Sequence, residues 1–101
     1  MNNSVILDLQ VIKEIYRKYI GKCFLHTNIV QETNYEHLKS YFHIIDVADY
    51  NDEVFLIVES KTIFADKRLK AKCDKGQYFL HFFKNMQEIS LNEFNKNFKE
   101  R

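Results

Sequence analysis

Three side chains in the middle of the chain have the types and spacing of a metal-dependent phosphodiester-cleaving site. Asp46 precedes the apolar run Val54–Val58, which is followed at once by Glu59, Ser60 and Lys61. Two carboxylates can hold a divalent cation that polarises a phosphate and activates water, and a lysine can stabilise the developing charge. If the region folds as a β-hairpin, Asp46 and Glu59 become diagonal neighbours about 7–8 Å apart, which is close enough to share one ion.

This order of residues resembles the D…ExK signature of the PD-(D/E)xK nuclease superfamily. The resemblance spans residues 46–61 and implies that Asp46, Glu59 and Lys61 form a catalytic set. The family places a helix next, for which residues 65–76 are too short, and no proline precedes Asp46. A metal-dependent nuclease with a degenerate site is therefore the third of three hypotheses, and we expect the protein not to be an enzyme.

The cysteines and histidines do not predict a metal centre. Cys23 and His26 have the spacing of half a zinc site. Positions three apart on a strand, however, point to opposite faces of a sheet. A Cys–His nucleophilic pair could form only through the fold, and no sequence context around either cysteine indicates one. We therefore predict no catalytic residue, no metal and no cofactor.

A basic run favours a second hypothesis, a nucleic-acid-binding module. Residues 61–75 contain six basic and two acidic side chains, beside segments rich in Phe and Tyr. Basic side chains contact phosphates, and exposed aromatic rings stack on unpaired bases. The predicted contacts lie in what we expect to be a basic loop, and they are Lys67, Arg68, Lys70, Lys72 and Lys75.

An acidic segment favours the leading hypothesis, a non-enzymatic protein-binding module. Residues 31–60 contain seven acidic residues and one basic residue. In size and composition the chain resembles small accessory proteins of bacteriophages and plasmids, including anti-CRISPR-type inhibitors, some of which present acidic surfaces where a nuclease expects DNA. The resemblance implies a regulator or inhibitor that occupies a host nucleic-acid enzyme. The predicted partner-binding residues are Glu32, Phe42, Ile44, Asp46, Asp49, Asp52, Phe55, Ile57, Glu59 and Lys61.

Two helices are predicted at the ends of the chain. Apolar residues recur every three or four positions between Val5 and Tyr19, and Gly21 follows where a left-handed cap belongs. Near the other end, Ser90 and Glu93 form a capping box before a second helix that begins at about Leu91. The expected buried faces are Val5, Leu9, Ile12, Tyr16 and Tyr19 in the first helix, and Leu91, Phe94 and Phe98 in the second.

Aromatic and β-branched runs predict strands between the helices. These runs are Lys22–Asn28, Tyr41–Tyr50, Val54–Phe64 and Tyr78–Ile89. Asn51-Asp52 predicts a two-residue hairpin turn that sets Val47 opposite Leu56. With this register the core side carries Tyr41, Ile45, Val47, Leu56, Val58 and Thr62. The other side, expected to be a partner surface or to be half-covered by a helix, carries Phe42, Ile44, Asp46, Ala48, Phe55, Ile57, Glu59 and Lys61.

The elements together predict a single α+β domain over residues 1–101. The N- and C-terminal helices flank a curved, mainly antiparallel sheet of four or five strands, with an SH3-like or OB-like small barrel as one way of closing it. The net charge of +1 on 101 residues excludes a strong whole-surface attraction to nucleic acid or membranes. No apolar run approaches the roughly 18 residues of a membrane span, and the first residues do not form a signal peptide. We therefore expect a cytoplasmic protein with no membrane partner.

Overall fold

An antiparallel sheet with helices at its sides forms the described part of the chain. The structure is a computed structural model and describes residues 2–27, 37–64 and 66–99. It has the predicted α+β class. In chain order the elements are α1 (Asn2–Arg17), β1 (Cys23–Thr27), β2 (His37–Tyr50), β3 (Glu53–Phe64), β4 (Lys72–Tyr78), a 3-10 turn (Leu80–Phe83), β5 (Gln87–Ile89) and α2 (Leu91–Lys99).

The sheet has five strands in the order β4-β3-β2-β1-β5, and all its described pairings are antiparallel. β4 and β5 lie at its two edges. Among the described residues these edge strands do not pair with each other, so a closed barrel is not confirmed. No helix within the described ranges is long and apolar enough to cross a membrane.

The strand predicted over Tyr78–Ile89 is wrong in its middle. Only Tyr78 and Gln87–Ile89 belong to strands, and the chain between them leaves the sheet in the 3-10 turn. Of the aromatic residues of this run, Phe83 is buried by folding over the sheet, whereas Phe79 and Phe82 are exposed. Phe83 is buried, and its ring centre lies 5.2 Å from that of Phe24 and 5.5 Å from that of Phe42.

The β2–β3 hairpin has the predicted two-residue turn. Asn51 and Asp52 both have positive φ angles, 52° and 63°, as a type I′ turn requires. The predicted register is confirmed near the turn, where Val47 lies opposite Leu56. A bulge between Ile44 and Asp46 then shifts the pairing by one residue, so that Ile44 rather than Ile45 lies opposite Val58.

The bulge decides which residues share each face of the sheet. The core face packs under α1 and the 3-10 turn, and its buried cluster is Phe24, Phe42, Ile44, Leu56, Val58 and Phe83. The opposite face packs under α2, and its buried cluster is Cys23, Tyr41, Ile89 and Phe94. The predicted placement of Phe42 and Ile44 beside Phe55 is therefore wrong, because both lie on the core face.

The start of α2 is confirmed, whereas α1 ends at Arg17, four residues before the predicted cap Gly21. After α1, Gly21 has φ +95°, and its backbone N–H donates to the Ile44 carbonyl at 2.8 Å. Before α2, the Ser90 hydroxyl accepts a hydrogen bond from the Glu93 backbone N–H at 3.0 Å. The buried face of α1 is narrower than predicted, since Tyr16 and Tyr19 pack against the core whereas Ile12 is exposed.

Candidate functional site

The hairpin separates the acidic and basic ends of the molecule. The Cα atoms extend over 54 × 28 × 20 Å, and β2 and β3 are the longest strands described. The turn at Asn51-Asp52 lies at one end of the hairpin and the connection from β3 to β4 lies at the other. Acidic residues surround the turn, and the exposed basic residues Lys67, Arg68 and Lys70 lie in the connection. The acids around the turn and the cations of the connection thus lie at opposite ends of the hairpin.

The opposite face near the turn carries a surface of acids and aromatic rings. Pairing places Asp46 beside Ile57, and Tyr50 beside Glu53, on this side of the hairpin. Tyr50 is 69% exposed and Phe79 is 41% exposed. The Phe79 ring lies 6.0 Å from that of Phe55, which extends the surface toward β4. We call this surface the acidic-aromatic patch, and its residues are Asp46, Tyr50, Glu53, Phe55, Ile57 and Phe79.

Three predicted acids surround the turn in different roles. Asp46 is exposed, and its carboxylate accepts a hydrogen bond from the Val47 backbone N–H at 2.8 Å. Asp49 lies on the core face and forms an ion pair with Lys13 of α1 at 2.6 Å. Asp52 occupies the turn itself and is exposed. All three carboxylates are exposed, and Asp49 also holds α1 to the hairpin.

Seven of the ten predicted partner-binding residues are not part of the patch, and they are Glu32, Phe42, Ile44, Asp49, Asp52, Glu59 and Lys61. Phe42 is 6% exposed and Ile44 is fully buried, so a partner cannot reach them in this structure. Lys61 is 4% exposed beneath α2, and its ammonium donates to the Asn97 carbonyl at 2.6 Å. A cation near the C-terminal end of a helix is favourable, so Lys61 holds α2 on the sheet. Glu32 lies outside the described residues.

Cys23, His43 and Glu59 form a row across β1, β2 and β3 on the opposite face. His43 Nδ1 lies 2.7 Å from a Glu59 carboxylate oxygen, and the Phe94 ring covers the histidine at 5.1 Å. The row has the residue types of a cysteine nucleophile with its base. Burial raises the pKa of the Cys23 thiol to about 11, with smaller contributions from Glu59 and Glu88. A buried thiol in this protonation state is a poor nucleophile at neutral pH.

The residues of the D…ExK pattern make other contacts in this structure. Asp46 and Glu59 are diagonal neighbours on one face, as predicted, but Glu59 pairs with His43 and Lys61 is buried under α2. Among the described residues, no three His, Cys, Asp or Glu side chains are grouped so as to hold a metal. Cys23 lies on the opposite face and His26 on the core face. The described residues thus add no support to the nuclease hypothesis.

The sequence predicted that the basic run forms one loop, and this prediction is wrong. Lys61 lies in β3, and Lys72 and Lys75 lie in β4, where their side chains belong to different faces. Within the connection, the Arg68 guanidinium makes hydrogen bonds of 2.8 and 3.0 Å to Asp66. The Arg68 side chain and backbone N–H lower the pKa of Asp66 through these bonds. All five predicted nucleic-acid contacts are exposed, but they point in more than one direction.

No family model, no curated protein and no solved structure matches this chain.

Sequence reasoning missed two aromatic residues of the patch. Tyr50 was open to prediction, because alternation along β2 places it on the same side as Asp46 and next to the hairpin turn. Phe79 was not, because its position depends on β4, which begins inside the run 61–75 that was predicted to be a loop. The signal for β4 is weak, since Lys72–Tyr78 contains four charged or amide side chains and one glycine.

Proposed function

We propose that this protein is a non-enzymatic binding protein that uses the acidic-aromatic patch to occupy a basic site on a protein partner. The observation that carries the proposal is the exposure of Tyr50 and Phe79 on a hairpin end that also presents Asp46 and Glu53. Exposed aromatic residues of this kind anchor protein interfaces, and tyrosine is among the residues that most often dominate binding.

The charge of the patch suggests the chemistry of the partner. Carboxylates at the end of an elongated molecule attract a positively charged cleft, increase the rate of encounter and exclude partners of like charge. Enzymes that act on nucleic acids have such clefts for phosphates. We therefore propose a regulator or inhibitor of a nucleic-acid enzyme, of the kind encoded by phages and mobile elements and including the anti-CRISPR type, that acts in the cytoplasm by blocking the nucleic-acid site.

Charge reversal at the patch tests the proposal. We expect the tagged protein to capture a nucleic-acid enzyme from the source cell, and nucleic acid to compete with it for the purified enzyme. The Asp46→Lys, Glu53→Lys double variant and the Tyr50→Ala variant should each weaken that complex by about tenfold or more, because each removes an anchor of the interface. Binding to the purified partner is measured by surface plasmon resonance at fixed salt.

The matched control is Glu14→Lys, which changes one exposed acid on α1 that already pairs with Arg17 at 3.2 Å. It should alter affinity by less than about twofold. If the complex loses as much affinity with Glu14→Lys as with the Asp46→Lys, Glu53→Lys double variant, the loss is a general effect of charge and not a contact made by the patch. A captured partner without a basic nucleic-acid site would contradict the inhibitor proposal.

A second candidate function is nucleic-acid binding by the basic end, and one observation favours it. Lys67, Arg68 and Lys70 are exposed in the short connection that follows β3, and the Asp66 hydrogen bonds fix the position of Arg68. An ordered cluster of cations can follow a phosphate backbone. This function needs no contact with the acidic-aromatic patch.

The salt dependence of binding tests this second candidate. If Lys67, Arg68 and Lys70 contact phosphates, affinity for a single-stranded oligonucleotide should fall by roughly 20-fold between 50 and 200 mM salt, because counterions are released from each contact. The Lys67→Gln, Lys70→Gln double variant should reduce the slope of log affinity against log salt by about 1.4. Fluorescence anisotropy measures both quantities. No binding at 50 mM salt, or an unchanged slope in the variant, contradicts this function.

A further inference from the structure

A groove opens on the core face at the end of the sheet that α1 does not reach. Its volume is about 580 Å³. Strands β1 to β4 form its floor, and the 3-10 turn with the residues that follow it forms one wall. This volume lies within the range of sites for small molecules, roughly 300–1,000 Å³. The acidic-aromatic patch lies on the other side of the sheet, so the two surfaces are independent.

The floor of the groove is polar although it continues the core. The register places His26, Ser40, Thr62 and Lys72 in one row across four strands. The Ser40 and Thr62 hydroxyl oxygens lie 3.4 Å apart, so each hydroxyl keeps further capacity to donate or accept. The neighbouring row ends in Ser60 and Asp74, which are cross-strand partners. Along β3 the core face thus changes from apolar to hydroxyl-bearing side chains at Ser60.

The Ser60 hydroxyl lines the groove and is accessible from it. Ser60 as a whole is 5% exposed, and its side chain makes no hydrogen bond to any residue that the structure describes. No fully buried side-chain oxygen or nitrogen among the described residues lacks a partner, so the Ser60 oxygen keeps access to the groove. There it can donate to, or accept from, a polar atom of a ligand.

The wall of the groove is aromatic. The Phe82 ring is 44% exposed and lies 4.7 Å from the Tyr78 ring and 5.6 Å from the Phe42 ring. Phe42 is buried and holds this cluster from below. A planar ring that enters the groove can contact the exposed part of Phe82.

Charged groups line the β4 side of the groove. Lys72 and Asp74 both line it from β4. The exposed cations Lys67 and Lys70 precede them in the chain. An anionic group on a ligand would contact Lys72 at this side, and the Asp74 carboxylate would accept a hydrogen bond from a hydroxyl or amino group.

We propose that this groove binds a nucleotide, with the base stacked on Phe82, base or sugar polar groups on Ser60 and Asp74, and the phosphate at Lys72. A nucleotide combines the planar ring, the in-plane donors and acceptors, the hydroxyls and the anion that these groups match. A plain sugar lacks the anion and the extended ring. The nucleotide has two sources, a free mononucleotide or an unpaired nucleotide within a strand.

Titration calorimetry with AMP, GMP, CMP and UMP tests the inference. At least one monophosphate should bind at a single site. The matching nucleoside and ribose 5-phosphate should each bind at least about tenfold more weakly than that monophosphate. A single-stranded hexanucleotide that binds at least tenfold tighter than the monophosphate would identify the strand as the source. Equal or weaker binding of the hexanucleotide would identify the free nucleotide.

Matched variants locate the ligand. Phe82→Ala should weaken binding by about tenfold because base stacking is lost, whereas Phe79→Ala removes an equally exposed ring from the other face and should change it less than twofold. Lys72→Gln should weaken binding severalfold and Lys75→Gln should not, because Lys75 lies on the opposite face of β4. Ser60→Ala should weaken binding by about two- to tenfold.

The inference is overturned by any of three results. The first is that neither the monophosphates nor the hexanucleotide bind at millimolar concentration. The second is that glucose binds as tightly as the best monophosphate. The third is that the two members of each variant pair lose affinity equally. Urea unfolding of every variant checks that its fold is intact. Apart from Phe79→Ala, these variants do not change a residue of the acidic-aromatic patch. The nucleotide proposal can therefore be confirmed or contradicted independently of the protein-binding proposal.

Discussion

Replacing Phe94 with alanine is expected to lower the free energy of unfolding by about 3–5 kcal/mol, the range for removing a large aromatic side chain from a core. Phe94 is fully buried, and it joins α2 to Cys23, Tyr41 and Ile89 on the opposite face. Its ring also contacts His43 at 5.1 Å. The cavity left by alanine cannot be filled by a neighbouring strand, because the strands are held by their pairing. Urea unfolding followed by circular dichroism measures the change.

Leu91→Ala is the matched control because it truncates a large apolar side chain of the same helix that is 43% exposed. It should cost less than about 1 kcal/mol, since surface truncations remove little buried area. A loss below 1 kcal/mol in the Phe94 variant would mean that α2 does not depend on this contact. The opposite face would then be open over β1 and β2, and the boundary of the acidic-aromatic patch would have to be redrawn.

Local patterns in the sequence were sufficient where a single short-range interaction decides the structure. Ser90 caps α2 through the Glu93 N–H, as its position predicts. Asn51 and Asp52 form the type I′ turn that fixes the hairpin. Both outcomes depend on the preferences of one or two residues and on interactions within a few positions.

The bulge near Ile45 was not predictable in the same way, and it decides the candidate site. Both Ile44 and Ile45 are apolar, so alternation along β2 does not reveal which of them enters the core. The choice follows from the tertiary packing, in which Phe42 and Ile44 join Phe24 and Leu56 on the core face. A shift by one residue moves side chains to the other face of the sheet. For this reason Asp46, Phe55 and Ile57 keep their predicted shared surface, while Phe42 and Ile44 leave it.

The groove was hidden for a related reason. Val54, Leu56 and Val58 show an alternating apolar pattern that continues as Ser60 and Thr62. Read alone, that change marks only the end of a buried strand face. Ser60 and Thr62 form the floor of the groove only because β4 places Asp74 beside Ser60 and the 3-10 turn brings Phe82 to the same groove. Contacts between residues far apart in the chain cannot be read from a period of two.

At pH 8 we expect the alkylation rate of Cys23 to be at least several hundred-fold lower in the folded protein than in the unfolded chain. Burial raises the pKa of its thiol from 9.0 to about 11, which reduces the reactive thiolate by about a hundredfold. Its full burial under α2 further limits access by the reagent. The Cys73→Ser variant removes the exposed second thiol, so that iodoacetamide modification followed by mass spectrometry reports Cys23 alone. A folded-state rate close to the rate in urea would contradict both the burial and the raised pKa.

The same shift predicts how stability depends on pH and how it couples to Phe94. Between pH 9 and 11 the unfolded chain loses the thiol proton while the folded chain keeps it, so the free energy of unfolding should decrease through this window. A Cys23→Ala variant should show a smaller decrease, which separates the thiol from tyrosine and lysine titration. In a Cys73→Ser background, Phe94→Ala should raise the alkylation rate of Cys23 far more than Leu91→Ala does, because Phe94 packs on the row that contains the thiol and Leu91 is exposed. Equal rates in the two variants would mean that the thiol is protected by the sheet alone, and that the helix contributes neither to its burial nor to its pKa.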